Sequence, residues 1–170
     1  TVTDLGTLGG PVTSGFGINE QGHAVGAGTI AAADFHGLYS AGSAPTAIAP
    51  LAGDSQCWAF AVDAGGTVVA MSFSFGALAT RGLMWNAGVP TSLGNFAPRA
   101  ISSAGVLAGF ATVPNPDQFQ VDHAASWVGG TMTDLGTLGG ANSYAAGINQ
   151  YREVLGRARP NGGTAIRAVP

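Results

Sequence analysis

Four carboxylates, Asp34, Asp54, Asp117 and Asp122, stand apart from every recurring phrase of this 170-residue chain. Non-consensus polar residues on a repetitive scaffold are where chemistry is grafted. Asp54 lies close to Gln56 and Trp58, and an aromatic face with flanking polar groups suits a sugar. The ring packs on the apolar side of a pyranose while the polar groups bond its hydroxyls. The other reading of this stretch buries Cys57 and Trp58 together. Trp58, Asp54, Gln56, Asp117 and Asp122 are therefore the candidate ligand-binding residues.

Catalytic arrangements fit less well. Glycoside hydrolysis needs two carboxylates about 5–10 Å apart, and Asp54, Asp117 or Asp122, with His123, are the groups that would supply a hydrolase or lyase. A serine hydrolase needs a nucleophile, a base and an orienting acid; no G-x-S-x-G occurs, and His23, His36 and His123 are scattered. There is no H-E-x-x-H and no D-x-D-x-D-G loop, and Cys57 is the single cysteine. Asn115-Pro116-Asp117 with Asp122 reads either as a calcium loop or as a proline-shaped turn. His123 and Arg81 hold equivalent repeat positions, which argues against metal ligation at His123. No catalytic residue, metal ligand or cofactor site is assigned.

Composition excludes more. All six basic residues are arginine, so chemistry that needs a P-loop, Schiff-base or Ser-Lys lysine is absent. A net charge of −3 argues against nucleic acid, and Arg152, Arg157, Arg159 and Arg167 read as a solvated sheet face. One cysteine forms no internal disulfide. No apolar run approaches the roughly 18 residues that span a bilayer. No signal-peptide pattern opens the chain at Thr1, as expected of a processed secreted protein and equally of a cytosolic one.

The elements that must position these residues are repeats. Thr3-Asp4-Leu5-Gly6-Thr7-Leu8-Gly9-Gly10 recurs verbatim at residues 133–140. A second phrase, Gly17-Ile18-Asn19 through Gly26, aligns with 61–70, 100–109 and 147–156. Each copy reads as a hairpin: a β-branched residue, then Asn19, Asp63, Ser102 or Asn149 to open the turn, then an apolar strand. A third phrase, at residues 36–42, 81–88, 123–130 and 164–169, is a strand closed in three copies by a glycine turn. Its aromatics are Tyr39, Trp85 and Trp127. Short β-rich runs with Gly, Pro and Asn punctuation, and no helical periodicity, predict an all-β chain.

A repeat of about 40–47 residues is the length of a four-stranded propeller blade. The expected fold is a small β-propeller of four repeats in one domain, approximately 1–45, 46–90, 91–130 and 131–170. The N-terminal strand Thr1–Leu5 would close the last blade beside 164–169, leaving no open edge. The alternatives are an open β-solenoid and a dimeric eight-bladed ring.

Asp-Leu-Gly-Thr-Leu-Gly-Gly, then Ser, then Ile-Asn, then a His-Ala strand ending in Trp, resembles the HAF-repeat family of bacterial extracellular proteins. The second copy departs from the pattern, with 46–51 replacing the family phrase and Arg81 standing for its histidine. The resemblance implies secretion, extracellular or periplasmic, and a propeller-like fold; it implies no activity. The expected function is a secreted, non-enzymatic binding module for carbohydrate or a cell-surface glycan. A structural, self-associating protein, for instance a homodimer, and a hydrolase or lyase acting at the channel mouth are the alternatives.

Overall fold

The structure, a computed structural model, describes residues 4–31, 33–76, 80–115, 118–160 and 167–169. Asp117 lies outside them, and the expected pairing of Thr1–Leu5 with 164–169 rests largely on residues outside them. The described chain is all-β, with four small antiparallel sheets and no helix. Each sheet is a run of consecutive strands. The first holds β1 (Gly9–Ile18), β2 (Ala24–Ile30), β3 (Phe35–Ser40) and β4 (Thr46–Ile48). The second holds β5 (Gln56–Val62), β6 (Val68–Phe73), β7 (Arg81–Asn86) and β8 (Val89–Ser92). The third holds β9 (Phe96–Ile101), β10 (Leu107–Asn115), β11 (Gln118–Val128) and β12 (Thr131–Gly136). The fourth holds β13 (Gly139–Ile148), β14 (Val154–Pro160) and β15 (Arg167–Val169).

The first hairpin of every sheet is made the same way. The Asn19, Asp63, Ser102 and Asn149 side-chain oxygens accept the backbone N–H four residues on, at 2.8–3.1 Å. The N–H three residues on donates to the same residue's carbonyl. That donor stands at positive φ: Gly22 at 81°, Gly66 at 83°, Gly105 at 72° and Arg152 at 67°. Three copies meet this demand with glycine, which carries no Cβ penalty there, and the fourth forces an arginine into it.

The second copy of the verbatim phrase carries the chain from β12 into β13, and the described part of the first leads into β1. The Asp134 carboxylate accepts the Gly136 N–H at 2.7 Å and Thr137 Oγ1 accepts the Gly139 N–H at 3.3 Å. Asp4 and Thr7 repeat both bonds with Gly6 and Gly9. Each bond is a side chain mimicking a backbone turn, which fixes the angle at which the chain enters the sheet that follows.

Sheets meet in sequence. The first strand of each later sheet packs on the second and third strands of the sheet before it, and β1, β5, β9 and β13 are neighbours in that order. Three separate apolar layers fill the seams, in place of one core. Val25, Cys57 and Val62 belong to the first, Val69, Phe96 and Leu107 to the second, and Ala108, Ala124 and Ala145 to the third. Small residues set the spacing: a Cβ on Gly82 would run into the Phe96 carbonyl of the next sheet. Polar clasps cross the same seams. The Phe35 N–H donates to Gln56 Oε1 at 2.9 Å, and the Ala124 N–H donates to Ser143 Oγ at 2.8 Å.

Repeat equivalence exposes an unfilled position on each side of this stack. Val25, Val69 and Ala108 face the following sheet and are fully buried, whereas Leu155 at the same position is 54% exposed. Val62, Ile101 and Ile148 pack backward onto the preceding sheet, whereas Ile18 is 73% exposed.

Replacing Arg152 with glycine relieves the left-handed strain, partly offset by a more flexible unfolded chain. Urea denaturation of the Arg152→Gly variant is expected to show a gain of about 0.5–1 kcal/mol. Equal or lower stability would contradict the strain.

Candidate functional site

Each first strand carries a β-bulge at the same place. Pairing jumps from Gly15 to Gly17, from Ala59 to Ala61, from Pro98 to Ala100 and from Ala145 to Gly147. The skipped residues are Phe16, Phe60, Arg99 and Ala146. A bulge leaves its extra residue out of the ladder and re-aims the side chain. All four line one open cavity of about 670 Å³, joined by Phe110, Tyr144 and Arg157. Residues from all four sheets thus converge on a single space.

The cavity lining forms a continuous chain of ring and guanidinium contacts. Phe16 stacks on Phe60, centroids 5.6 Å apart and planes 15° from parallel. The Arg99 guanidinium carbon lies 4.1 Å from the centre of the Phe60 ring and 5.5 Å from that of Phe110. Phe110 meets Tyr144 edge to face at 5.2 Å, and Arg157 lies over Tyr144 at 4.8 Å. Cation–π contact of this kind contributes about 0.5–2 kcal/mol, more as water is excluded. Burial first, and then repulsion from Arg157, pull the Arg99 guanidinium below its ordinary value. Tyr144 moves up, through burial and then through the adjacent Asp122 carboxylate. Among the described residues the ion pairs are Arg81–Asp54 and His123–Asp134; neither involves a cavity arginine.

Asp54 accepts hydrogen bonds from Ser72 Oγ at 2.6 Å and from Arg81 Nε at 3.0 Å, and its side chain is 11% exposed. Gln56 is buried at the first seam, where its Nε2 donates to Asp34 at 3.1 Å. Trp58 is half-buried, with Phe35, Phe73 and Phe16 around it at 5.3–6.3 Å. Asp122 accepts from Thr112 Oγ1 at 2.8 Å and from the Tyr144 hydroxyl at 3.2 Å. Trp58 and Asp122 therefore touch the cavity lining at opposite ends, through Phe16 and Tyr144. Asp54 and Asp122 are tied into the hydrogen-bond networks of different sheets. His123 pairs with Asp134 at 2.8 Å. Burial raises the Asp134 carboxyl, but the Gly136 N–H and His123 together hold it below the usual range.

Sequence reasoning missed Phe16, Phe60, Arg99, Phe110, Tyr144 and Arg157. One signal was available. Phe16, Phe60, Arg99 and Ala146 each precede the small residue that opens the hairpin phrase, and three of the four are large where the neighbouring positions are small. No group of three or more His, Cys, Asp or Glu side chains is placed to hold a metal among the described residues. Among the described residues no helix is long and apolar enough to cross a membrane. No protein-family model matches the chain, and no curated protein is similar to it in sequence.

Cys57, fully buried at the first seam, is pushed up to about 12 by burial; a Gly37 backbone hydrogen bond opposes this and the Asp54 charge adds to it. The thiolate is the reactive species. Iodoacetamide at pH 8 is expected to leave the native protein unlabelled and to alkylate it fully in denaturant. Rapid native labelling, read by mass spectrometry, would show the first seam to be open.

Proposed function

We propose that this chain is a secreted, non-enzymatic binding module of the HAF-repeat kind, a four-bladed β-propeller that recognises carbohydrate or a cell-surface glycan. The observation that carries this reading is the convergence of four equivalent bulges on one cavity with aromatic and arginine walls. A symmetric set of strands presents the same position four times, and the residue type varies there: Phe, Phe, Arg and Ala. Scaffold positions are free to vary where packing does not dictate them, and these face open space. Aromatic side chains with a few polar groups are the common lining of small-ligand and sugar sites. The consecutive strand order and the neighbouring first strands accord with blades set around an axis.

The test is incubation of the protein with a panel of glycans and insoluble polysaccharides, assaying both protein retained and soluble product released. Retention without product is the expected result. Release of product would make the chain a hydrolase or lyase, and its loss on substituting Asp54, Asp122 or His123 would locate the chemistry.

A second reading, self-association, is favoured by the exposure of Ile18 and Leu155 at positions that the three described seams bury. Two chains joined through these faces would build an eight-bladed ring. Light scattering is expected to give the 16.8 kDa mass of one chain. A doubled mass that returns to one chain on Leu155→Glu would establish the ring instead.

A further inference from the structure

Two cationic side chains share the cavity with no carboxylate partner among the described residues. Arg99 is half-buried between Phe60 and Phe110, and Arg157 stands over Tyr144. Half-buried Arg99 and exposed Arg157 are like charges that repel, and their repulsion is relieved when an anion binds between them. The protein as a whole carries a net charge of −3. A local positive site in an acidic chain with only six basic residues is therefore a concentrated feature, not a reflection of composition. Arg159 adds a third guanidinium in the neighbouring space of about 360 Å³, which Tyr144 and Arg157 also line.

Geometry narrows the anion. A guanidinium seated over an aromatic ring keeps its N–H donors available around its rim, in the fork that matches a carboxylate or sulfate. Phe16, nearly half exposed at 46%, offers an apolar ring surface in the same cavity. An ordinary inorganic anion would use the arginines and leave this surface wet. A molecule with an oxyanion on one side and a flat apolar face on the other uses both. Among sugars, that description fits a uronate or a sulfated residue, whose ring face is apolar and whose substituent is charged.

We propose that the cavity between the four first strands binds an anionic sugar unit, its carboxylate or sulfate held by Arg99 and Arg157 and its ring face lying on Phe16. This deepens the binding-module reading and rests on it. It moves the site away from Asp54 and Gln56, leaves Trp58 behind Phe16 at its edge, and centres it on residues that lie far apart in the sequence. Asp122 accepts the Thr112 and Tyr144 hydroxyls, so the Tyr144 O–H is already committed as a donor within the protein.

The experiment is calorimetric titration of the whole chain with α-1,4-linked trigalacturonate, a sulfated chondroitin disaccharide and neutral maltotriose. At least one anionic sugar is expected to bind, at least about tenfold more tightly than maltotriose, and to weaken as salt rises from 50 to 300 mM. Which one binds distinguishes carboxylate from sulfate. Arg157→Met and Arg99→Met are each expected to weaken it about 10- to 100-fold. Arg152→Gln, which removes an equal charge from a hairpin turn outside the cavity lining, is expected to leave affinity within about twofold. Arg99 is half-buried, so circular dichroism accompanies its variant, and exposed Arg157 decides the matter if that variant unfolds. Maltotriose bound as tightly as the anions, with Arg157→Met indifferent, would overturn the charge inference and leave the binding module standing. Binding to no sugar, together with no retention on any polysaccharide, would overturn both.

Discussion

The close seating of each first strand on the preceding sheet is the constraint from which the rest of the structure follows. It holds the spacing of the sheets to what Gly and Ala permit, since a Cβ on Gly82 would meet the Phe96 carbonyl and one on Gly37 would come within 3.2 Å of Cys57 Sγ. It also divides the apolar interior into thin layers. A layer of alanines such as Ala108, Ala124 and Ala145 buries little area, at about 25 cal/mol per Å². The Ser143 and Asn142 side chains therefore clasp the neighbouring strand's Ala124 and Asp122 N–H groups across that seam. A buried donor left unmade there would cost about 1–3 kcal/mol.

The same constraint explains the low charge of the chain. In an ordinary antiparallel sheet one face meets water and carries charged residues in alternation. Here the middle strands of the second and third sheets are covered on both faces, and β6 is buried along nearly its whole length as Val-Val-Ala-Met-Ser. Charge is left to outer strands, turns and the few places where a pair is internally matched. Arg81 and Asp54 are such a pair, satisfied by each other and by Ser72 and Ala52. Arg99, half-buried, has no such carboxylate among the described residues and is met instead by the rings of Phe60 and Phe110.

The bulges separate scaffold from site. Four ladders pair through Ile18, Val62, Ile101 and Ile148 at the hairpin end, skip one residue, and resume. The residues on either side of each skip serve the seams and are small or apolar. The skipped residue stands outside the apolar layers of the seams and packs on its counterparts around the cavity, Phe16 and Arg99 both on Phe60. A symmetric fold thus carries an asymmetric lining.

Sequence by itself determined the all-β class, the four-fold repetition, and the turn chemistry at Asn19, Asp63, Ser102 and Asn149. These follow from local rules: side-chain oxygens that satisfy nearby N–H groups, glycine at positive φ, and short β-rich runs without helical periodicity. It left Trp58 open between a sugar platform and a buried neighbour of Cys57, because burial depends on what lies across the seam. Only the tertiary structure set Trp58 among Phe16, Phe35 and Phe73, and tied Asp54 to Arg81. Only it gathered Phe16, Phe60, Arg99, Phe110, Tyr144 and Arg157, which are spread over most of the chain. A bulge is a property of two paired strands, visible in their register and not in either strand alone, so no local pattern announces where its side chain will point.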